Sequence, residues 1–137
     1  VAPSKAPTKR FIKWANSTRL NKVLVVHCNH AKELSDKTAT LFNQYKKAGI
    51  HLLNQSVLLK GVNDDVVVLE ALSHQLFSQG VLPYYLNQLD KVQGAAHFEV
   101  PDEQACQIHL ALRKILPGYL LPKLVKDTSG KAYKTPL

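Results

Sequence analysis

The chain has 137 residues, 18 Lys plus Arg against 10 Asp plus Glu, a formal net charge of +8 at pH 7, and no methionine. That length accommodates one domain around one core, and 45% hydrophobic with 20% charged residues excludes an intrinsically disordered chain. No apolar run approaches the ~20 residues of a membrane-spanning helix, and the first ten residues lack the apolar stretch of a signal peptide.

Residues 1–22 carry Lys5, Lys9, Arg10, Lys13, Arg19 and Lys22 with no acid, and are expected to be a basic lead-in with a helix. Val23-Leu24-Val25-Val26 is a short all-apolar run, the pattern of a strand buried on both faces. A helix follows, with Leu34, Leu41, Phe42 and Tyr45 on one side and Gly49 as its stop. The next strand lies within His51 to Lys60, around Ser56-Val57-Leu58-Leu59. Asp64 and Asp65 open a second helix that bears Leu69, Leu72, Leu76 and Phe77 and closes at Gly80. Residues 81–86 read as a third strand, and Pro101 with Asp102 and Glu103 starts a third helix that ends before Pro117-Gly118. A last extended piece spans Tyr119 to Val125, ahead of a polar tail.

Strand starts near 23, 52 and 81 recur about every 29 residues, the size of a β-α-β unit, so a parallel sheet with right-handed crossovers is expected. Two architectures fit that count: a small open α/β sheet, or about half of a β/α barrel. A Rossmann fingerprint and a P-loop are both missing. Cys28 and Cys106 lie 78 positions apart without a C-x-x-C pair, which suits two isolated thiols in a reducing cytosol. The C-terminal segment is basic again, with Arg113, Lys114, Lys123, Lys126, Lys131 and Lys134 against Asp127. Nucleic-acid binders cluster cations this way, yet aromatic interleaving is confined to Phe11 and Trp14, and two solvated basic ends are the plainer reading.

Parallel α/β folds hold their chemistry at the C-terminal ends of strands, which yields a short list. After the first strand come His27, Cys28, Asn29 and His30; the second carries Asn54 and Gln55, then Asn63 and Asp64. The third is followed by Asn87, Gln88, Asp90 and the run from Gln93 to His97, and the tail adds Asp127 with Lys131 or Lys134. Each has a structural alternative. His27 and His30 suit loop residues capping the next helix, and Asp64 suits a helix N-cap. Asn54 and Gln55 are less ordinary, because a buried amide needs a partner: they should face a polar pocket or a ligand.

Longer strings carry a resemblance. Val-His-Cys-Asn-His (26–30), Asn-Gln-Ser-Val-Leu-Leu-Lys-Gly-Val-Asn-Asp (54–64), Pro-Tyr-Tyr (83–85), Leu-Asp-Lys-Val-Gln-Gly-Ala-Ala-His-Phe (89–98), Pro-Gly-Tyr-Leu-Leu-Pro-Lys-Leu-Val (117–125) and Lys-Thr-Pro-Leu (134–137) resemble the C-terminal half of the lysine 2,3-aminomutases. The 89–98 string most resembles the branch that makes (R)-β-lysine for elongation factor P. The resemblance implies a cytoplasmic radical S-adenosylmethionine enzyme that also uses pyridoxal phosphate and a 4Fe-4S cluster. Its substrate is L-lysine, whose α-amino group migrates to the β-carbon. The implied fold is half of a partial (β/α)6 TIM-like barrel over 23–116, after the lead-in 1–22 and before a pyridoxal-phosphate-binding tail over 117–137.

By the same resemblance Lys134, just before Thr-Pro, matches the lysine that forms a Schiff base with pyridoxal phosphate; Lys131 is its rival but lacks the following Thr-Pro. An amine nucleophile calls for burial or a cationic neighbour to lower its pKa. Asp90 and Asp127 match two carboxylates that bind the substrate ε-ammonium. His27 and Gln55 match positions on the S-adenosylmethionine side, with Asn29 and His97 nearby. No metal ligands are expected here: the C-x-x-x-C-x-x-C cluster motif and the phosphate-gripping basic residues are absent. The chain opens on Val1 where a reading frame opens on Met, so it is expected to be about half of an enzyme, inactive without its N-terminal half and unstable or associated alone. A homo-oligomer stays open, a membrane partner is not expected, and nucleic acid is disfavoured. The competing reading is a non-catalytic α/β module that binds a cofactor or RNA.

Overall fold

A computed structural model describes residues 9–89 and 96–137. Its elements are α1 (Lys9–Ser17), β1 (Lys22–His27), α2 (Asp36–Lys47), β2 (Ile50–Leu58), α3 (Val66–Ser78), β3 (Leu82–Gln88), α4 (Asp102–Ile115), β4 (Lys123–Asp127) and β5 (Lys134–Pro136), with 3-10 turns at Ala31–Glu33, Ala96–Phe98 and Gly118–Leu120. The five strands form one sheet in chain order; β1 to β4 are parallel, and β5 runs antiparallel beside β4. No helix among the described residues is long and apolar enough to cross a membrane.

Local chemistry sets the element ends. Ser35 caps α2, its Oγ accepting from the Thr38 N–H while Thr38 Oγ1 accepts from the Ser35 N–H at 2.8 Å. Gly49 follows that helix at φ +80°, a left-handed conformation suited to glycine. The α3 cap is Asp65 rather than Asp64: Asp65 Oδ1 accepts from the N–H of Val67 at 2.7 Å. Asp64 instead accepts from the Gly61 N–H at 2.9 Å and closes the preceding turn.

Successive strand residues alternate between two unlike faces. One face carries Ile50, Leu52, Leu58, Leu86 and Leu124, all buried beneath α2, α3 and α4 in two adjoining apolar clusters. Leu72 and Leu76 of α3 pack with α2 and β2, while Leu69 of the same helix packs with α4 and β3. α1 joins the first cluster through Ala15 and Ile12. On the other face Val23 is 59% exposed and Leu82 43% exposed, and no described helix covers them. Burial is therefore one-sided, although the apolar run at 23–26 suggested a strand covered on both faces.

The C-terminal segment differs most from expectation. Tyr119 lies in a 3-10 turn, and the strand starts only at Lys123 because Pro117 ends α4 and Pro122 lacks a ladder donor. His109 Nε2 of α4 meets the Pro122 carbonyl at 2.7 Å and anchors that lead-in. The polar tail turns back at Gly130, φ +80°, so that β5 pairs Lys134 with Asp127, Thr135 with Lys126 and Pro136 with Val125. The outer edge of β4 is thus covered by the chain's own last residues.

Candidate functional site

All four parallel strands point their C-terminal ends to one side of the molecule, and register fixes which side chains share the open face. His27, Gln55, Tyr85 and Lys123 form one row across β1 to β4. Val57, Asn87 and Val125 form the next row, and the Asp127–Lys134 pair stands beyond it at the strand ends. A register shift at Asn54/Gln55 leaves Tyr84 beside Tyr85, with their rings 4.0 Å apart and Tyr84 donating to the Tyr85 hydroxyl at 3.3 Å. That contact, with burial second, holds the Tyr85 phenol above its ordinary pKa.

Lys134 and Asp127, two of the expected site residues, come together here. Lys134 Nζ lies 3.2 Å from Asp127 Oδ1 and 5.7 Å from the centre of the Tyr85 ring. Its side chain is 26% exposed, that of Asp127 67%. Where burial or a cationic neighbour was expected, the side chain is half-buried and the groups nearest its amine are a carboxylate and an aromatic face. Lys123 Nζ sits 5.7 Å over Tyr84 in the same way. Lys131 is exposed and rests over Tyr133, on the turn rather than the sheet. Asp90 lies outside the described residues.

The remaining candidates divide. His27 is exposed at the end of β1 and in register with half-buried Gln55, so these two do share the open face. Asn29 does not point a free carbonyl there: its Oδ1 accepts from the Val57 N–H at 2.9 Å. His97 is exposed on its 3-10 turn with its ring 4.2 Å from Phe98.

Asn54 serves a different purpose from its neighbour Gln55. It is 1% exposed on the helix-covered face, where its Oδ1 accepts from the Cys28 N–H at 2.9 Å and its Nδ2 donates to the Cys28 carbonyl at 3.1 Å and to Ser56 Oγ at 3.0 Å. Asn63, also buried, donates to the carbonyls of Asn29 and Val57 and accepts from the Leu59 N–H. Together the two amides fix the loop after β1 to the end of β2. Glu33 completes that clamp by accepting from the N–H groups of Asn29 and His30. Burial works to raise Glu33, but those two N–H donors and the Cys28 thiol outweigh it and hold the carboxyl below its ordinary value. His30 caps the following turn through Nδ1, as one of its two readings had it.

Cys28 is buried, and burial first, then the Glu33 carboxylate, push its thiol up to about 12. Cys106 is exposed on α4. Among the described residues no group of three or more His, Cys, Asp or Glu can hold a metal ion. A cavity of about 460 Å³, lined by His51, Leu53, Phe77 and Leu82 among others, opens at the N-terminal ends of the strands, away from every candidate residue. Sequence reasoning passed over Tyr84, Tyr85 and Lys123 as site residues; the signal available was two adjacent aromatics before a strand end.

No family model matches the chain. Among curated proteins it is 47% identical over 128 residues to the L-lysine 2,3-aminomutase of Haemophilus influenzae and 49% identical over 124 residues to that of Escherichia coli, covering 93% and 90% of this chain. It is 39% identical over 114 residues, 83% of the chain, to the L-lysine 2,3-aminomutase of Clostridium subterminale. The chain spans 38%, 36% and 27% of the length of those three relatives.

Proposed function

We infer that this chain, which belongs to the L-lysine 2,3-aminomutase family over the stretch it shares with those proteins, supplies the lysine- and pyridoxal-phosphate-binding part of an isomerase. The reaction moves the α-amino group of L-lysine to its β-carbon. The observation that carries the reading is the meeting of Lys134, Asp127 and Tyr85 on the open face at the C-terminal strand ends. That is where a parallel sheet collects catalytic groups.

Pyridoxal phosphate, when bound, supplies the aldehyde and the delocalising ring, while S-adenosylmethionine and a reduced 4Fe-4S cluster supply the radical. The residues present fit the first group. Lys134 offers a half-buried primary amine beside an aromatic ring against which a planar ligand can lie. Its ion pair with Asp127 sets an alkylammonium between a carboxylate and a ring, which supports this place as the seat for the far end of lysine. Asp127, with Asp90, would select lysine by charge and chain length. Tyr85, held neutral by Tyr84, contributes a face rather than a base. His27 on β1 and Gln55 on β2, in register with each other, form the S-adenosylmethionine side, with Asn29 fixing the loop after β1 and His97 joining them by the family resemblance alone. The cluster does not fit here: one thiol is buried and stays protonated to about 12, and the other is exposed on α4.

In this reading β1, β2 and β3 are three strands of a partial (β/α)6 barrel, and the open face is its interior. Residues 1–22 lead in, 23–116 form the barrel half and 117–137 form the cofactor-binding tail. The uncovered Val23 and Leu82 support that, since an apolar strand face calls for a partner. A cytoplasmic site and β-lysine destined for elongation factor P belong to the same reading; the latter rests on the 89–98 string. So does inactivity of these 137 residues alone, supported by their 27–38% share of the three relatives reported and by the missing cluster ligands.

The test is borohydride reduction of the full-length protein loaded with pyridoxal phosphate, followed by peptide mapping. The expected product is a single pyridoxyl group on Lys134. A label on Lys131 or no label overturns the site.

A further inference from the structure

The lysines of the strands differ in what holds their charge. Lys22 Nζ donates to the Ala15 carbonyl at 2.6 Å, Lys126 meets Asp102 at 2.6 Å on the helix-covered side, and Lys134 meets Asp127 at 3.2 Å. Lys123 meets no carboxylate or carbonyl among the described residues, and its Nζ stands 5.7 Å over the Tyr84 ring. Leu124 is buried against the helices, so alternation turns Lys123 to the open face, where it is exposed and in register with Tyr85. An aromatic face attracts an ammonium without neutralising it. A free positive charge on the face that receives the ligands calls for an anion.

Spacing says which anion. Asp127 lies on the same strand and the same face as Lys123, at the other end of β4. At about 3.3 Å per residue the two positions are about 13 Å apart, and strand side chains stand nearly perpendicular to the sheet, so their charges keep a similar span. An extended lysine holds its ε-ammonium about 7 Å from its carboxylate carbon. A charge-assisted hydrogen bond of about 2.8 Å at each end brings it to the same span. Polarity matches as well, with the acid at the ammonium end and the cation at the carboxylate end. The α-amino group then falls near the Tyr85 ring, over which the Lys134 amine stands at 5.7 Å.

We propose that Lys123 binds the α-carboxylate of the substrate lysine, so that Lys123 and Asp127 together gauge its length along β4. The inference rests on the aminomutase reading and deepens it, adding a specificity-determining residue for the end of the substrate that Asp127 does not reach. The phosphate of pyridoxal phosphate is the rival anion. No fixed distance from Asp127 ties it to Lys123.

The experiment uses the full-length protein loaded with pyridoxal phosphate and compares Lys123→Gln, which removes the charge, with Lys123→Arg, which keeps it. Dissociation constants are measured by spectral titration for L-lysine and for 1,5-diaminopentane, which is lysine without its carboxylate. The affinity for pyridoxal phosphate is measured beside them. Lys123→Gln is expected to weaken lysine about tenfold and to leave diaminopentane and pyridoxal phosphate within about twofold, while Lys123→Arg restores lysine to within about threefold. Lysine unchanged, or lysine and diaminopentane weakened alike, overturns the proposal. So does a tenfold loss of pyridoxal phosphate, which assigns the cation to the phosphate. If the glutamine variant does not fold, Lys123→Met, apolar and of similar length, carries the same comparison. Borohydride labelling of the same preparations separates the two failures. A protein labelled on Lys134 but indifferent to Lys123 loses this inference alone. One never labelled on Lys134 loses the aminomutase reading as well.

Discussion

Asn54 and Gln55 are adjacent in one strand and sit in opposite worlds. Asn54, 1% exposed beneath the helices, spends its amide on both backbone groups of Cys28 and on the Ser56 hydroxyl. Gln55, half-buried on the other side, stands in a row with His27, Tyr85 and Lys123. The covered face thus uses polar groups to lock a loop in place, and the open face displays them. Exposed polar residues at strand ends are the raw material of a binding site, while satisfied buried ones hold the frame that aims them.

The largest effect should come from breaking the lock. Asn54→Ala leaves the buried Cys28 N–H without its partner and removes the amide donor from the Cys28 carbonyl and Ser56 Oγ, which keep only their bond to each other. A loss of about 3 kcal/mol or more is expected, seen as a lowered urea midpoint. Gln55→Leu one residue along should stay within about 0.5 kcal/mol. Equal costs for the two substitutions would erase the distinction between the faces.

Glu33 tests the same lock more gently. It holds two N–H groups at the start of a short turn, so Glu33→Gln should cost about 1 kcal/mol near neutral pH, its exposure keeping the figure low. The sign with pH follows from a carboxyl held below its ordinary value of 4.5. Its stabilisation is present above that value and is lost as pH falls through the lower, folded one. The gap between wild type and Glu33→Gln should therefore close below about pH 4.5. A gap that widens on acidification would contradict the arrangement.

Thiol chemistry divides along the same line. Cys106 is exposed, whereas Cys28 is buried with its thiol pushed up to about 12. A thiol reagent at pH 8 should label Cys106 within minutes and Cys28 only after unfolding, as mass spectrometry would show. A folded protein that labels at both positions would mean the clamp opens readily.

The β-α period and the helix stops were legible because hydrophobic spacing and glycine operate locally. The helix cap was misplaced by one residue because Asp64 and Asp65 are chemically identical, and only the Gly61 turn decides between them. Covering of one face alone was not legible, since Val23 to Val26 read the same whether one face or two is packed. Nor was β5: Lys134 to Pro136 is short, polar and proline-containing, and it becomes a strand only because the Gly130 turn brings it back to β4. Asn54 was rightly singled out as a buried amide needing partners, but its partners are the backbone of its own neighbours. Lys134 and Asp127 came from a family resemblance; pairing in register is what brings them together.

The smallest expected effect on stability is also the sharpest for function. Lys134 and Asp127 form an ion pair whose members are 26% and 67% exposed, and such pairs contribute about 0–1 kcal/mol because solvent and salt screen them. Lys134→Gln keeps most of the side chain over Tyr85 and leaves the β4–β5 backbone pairing intact, since that ladder uses main-chain groups. Its melting temperature should therefore shift by no more than a degree or two, while borohydride no longer fixes pyridoxal phosphate to residue 134. If the substitution instead unfolds the tail, the lysine is a structural tie between the last two strands. The open face would then have to find its reactive amine elsewhere, and Lys123, poised over Tyr84 two rows below, is the next such group on that face.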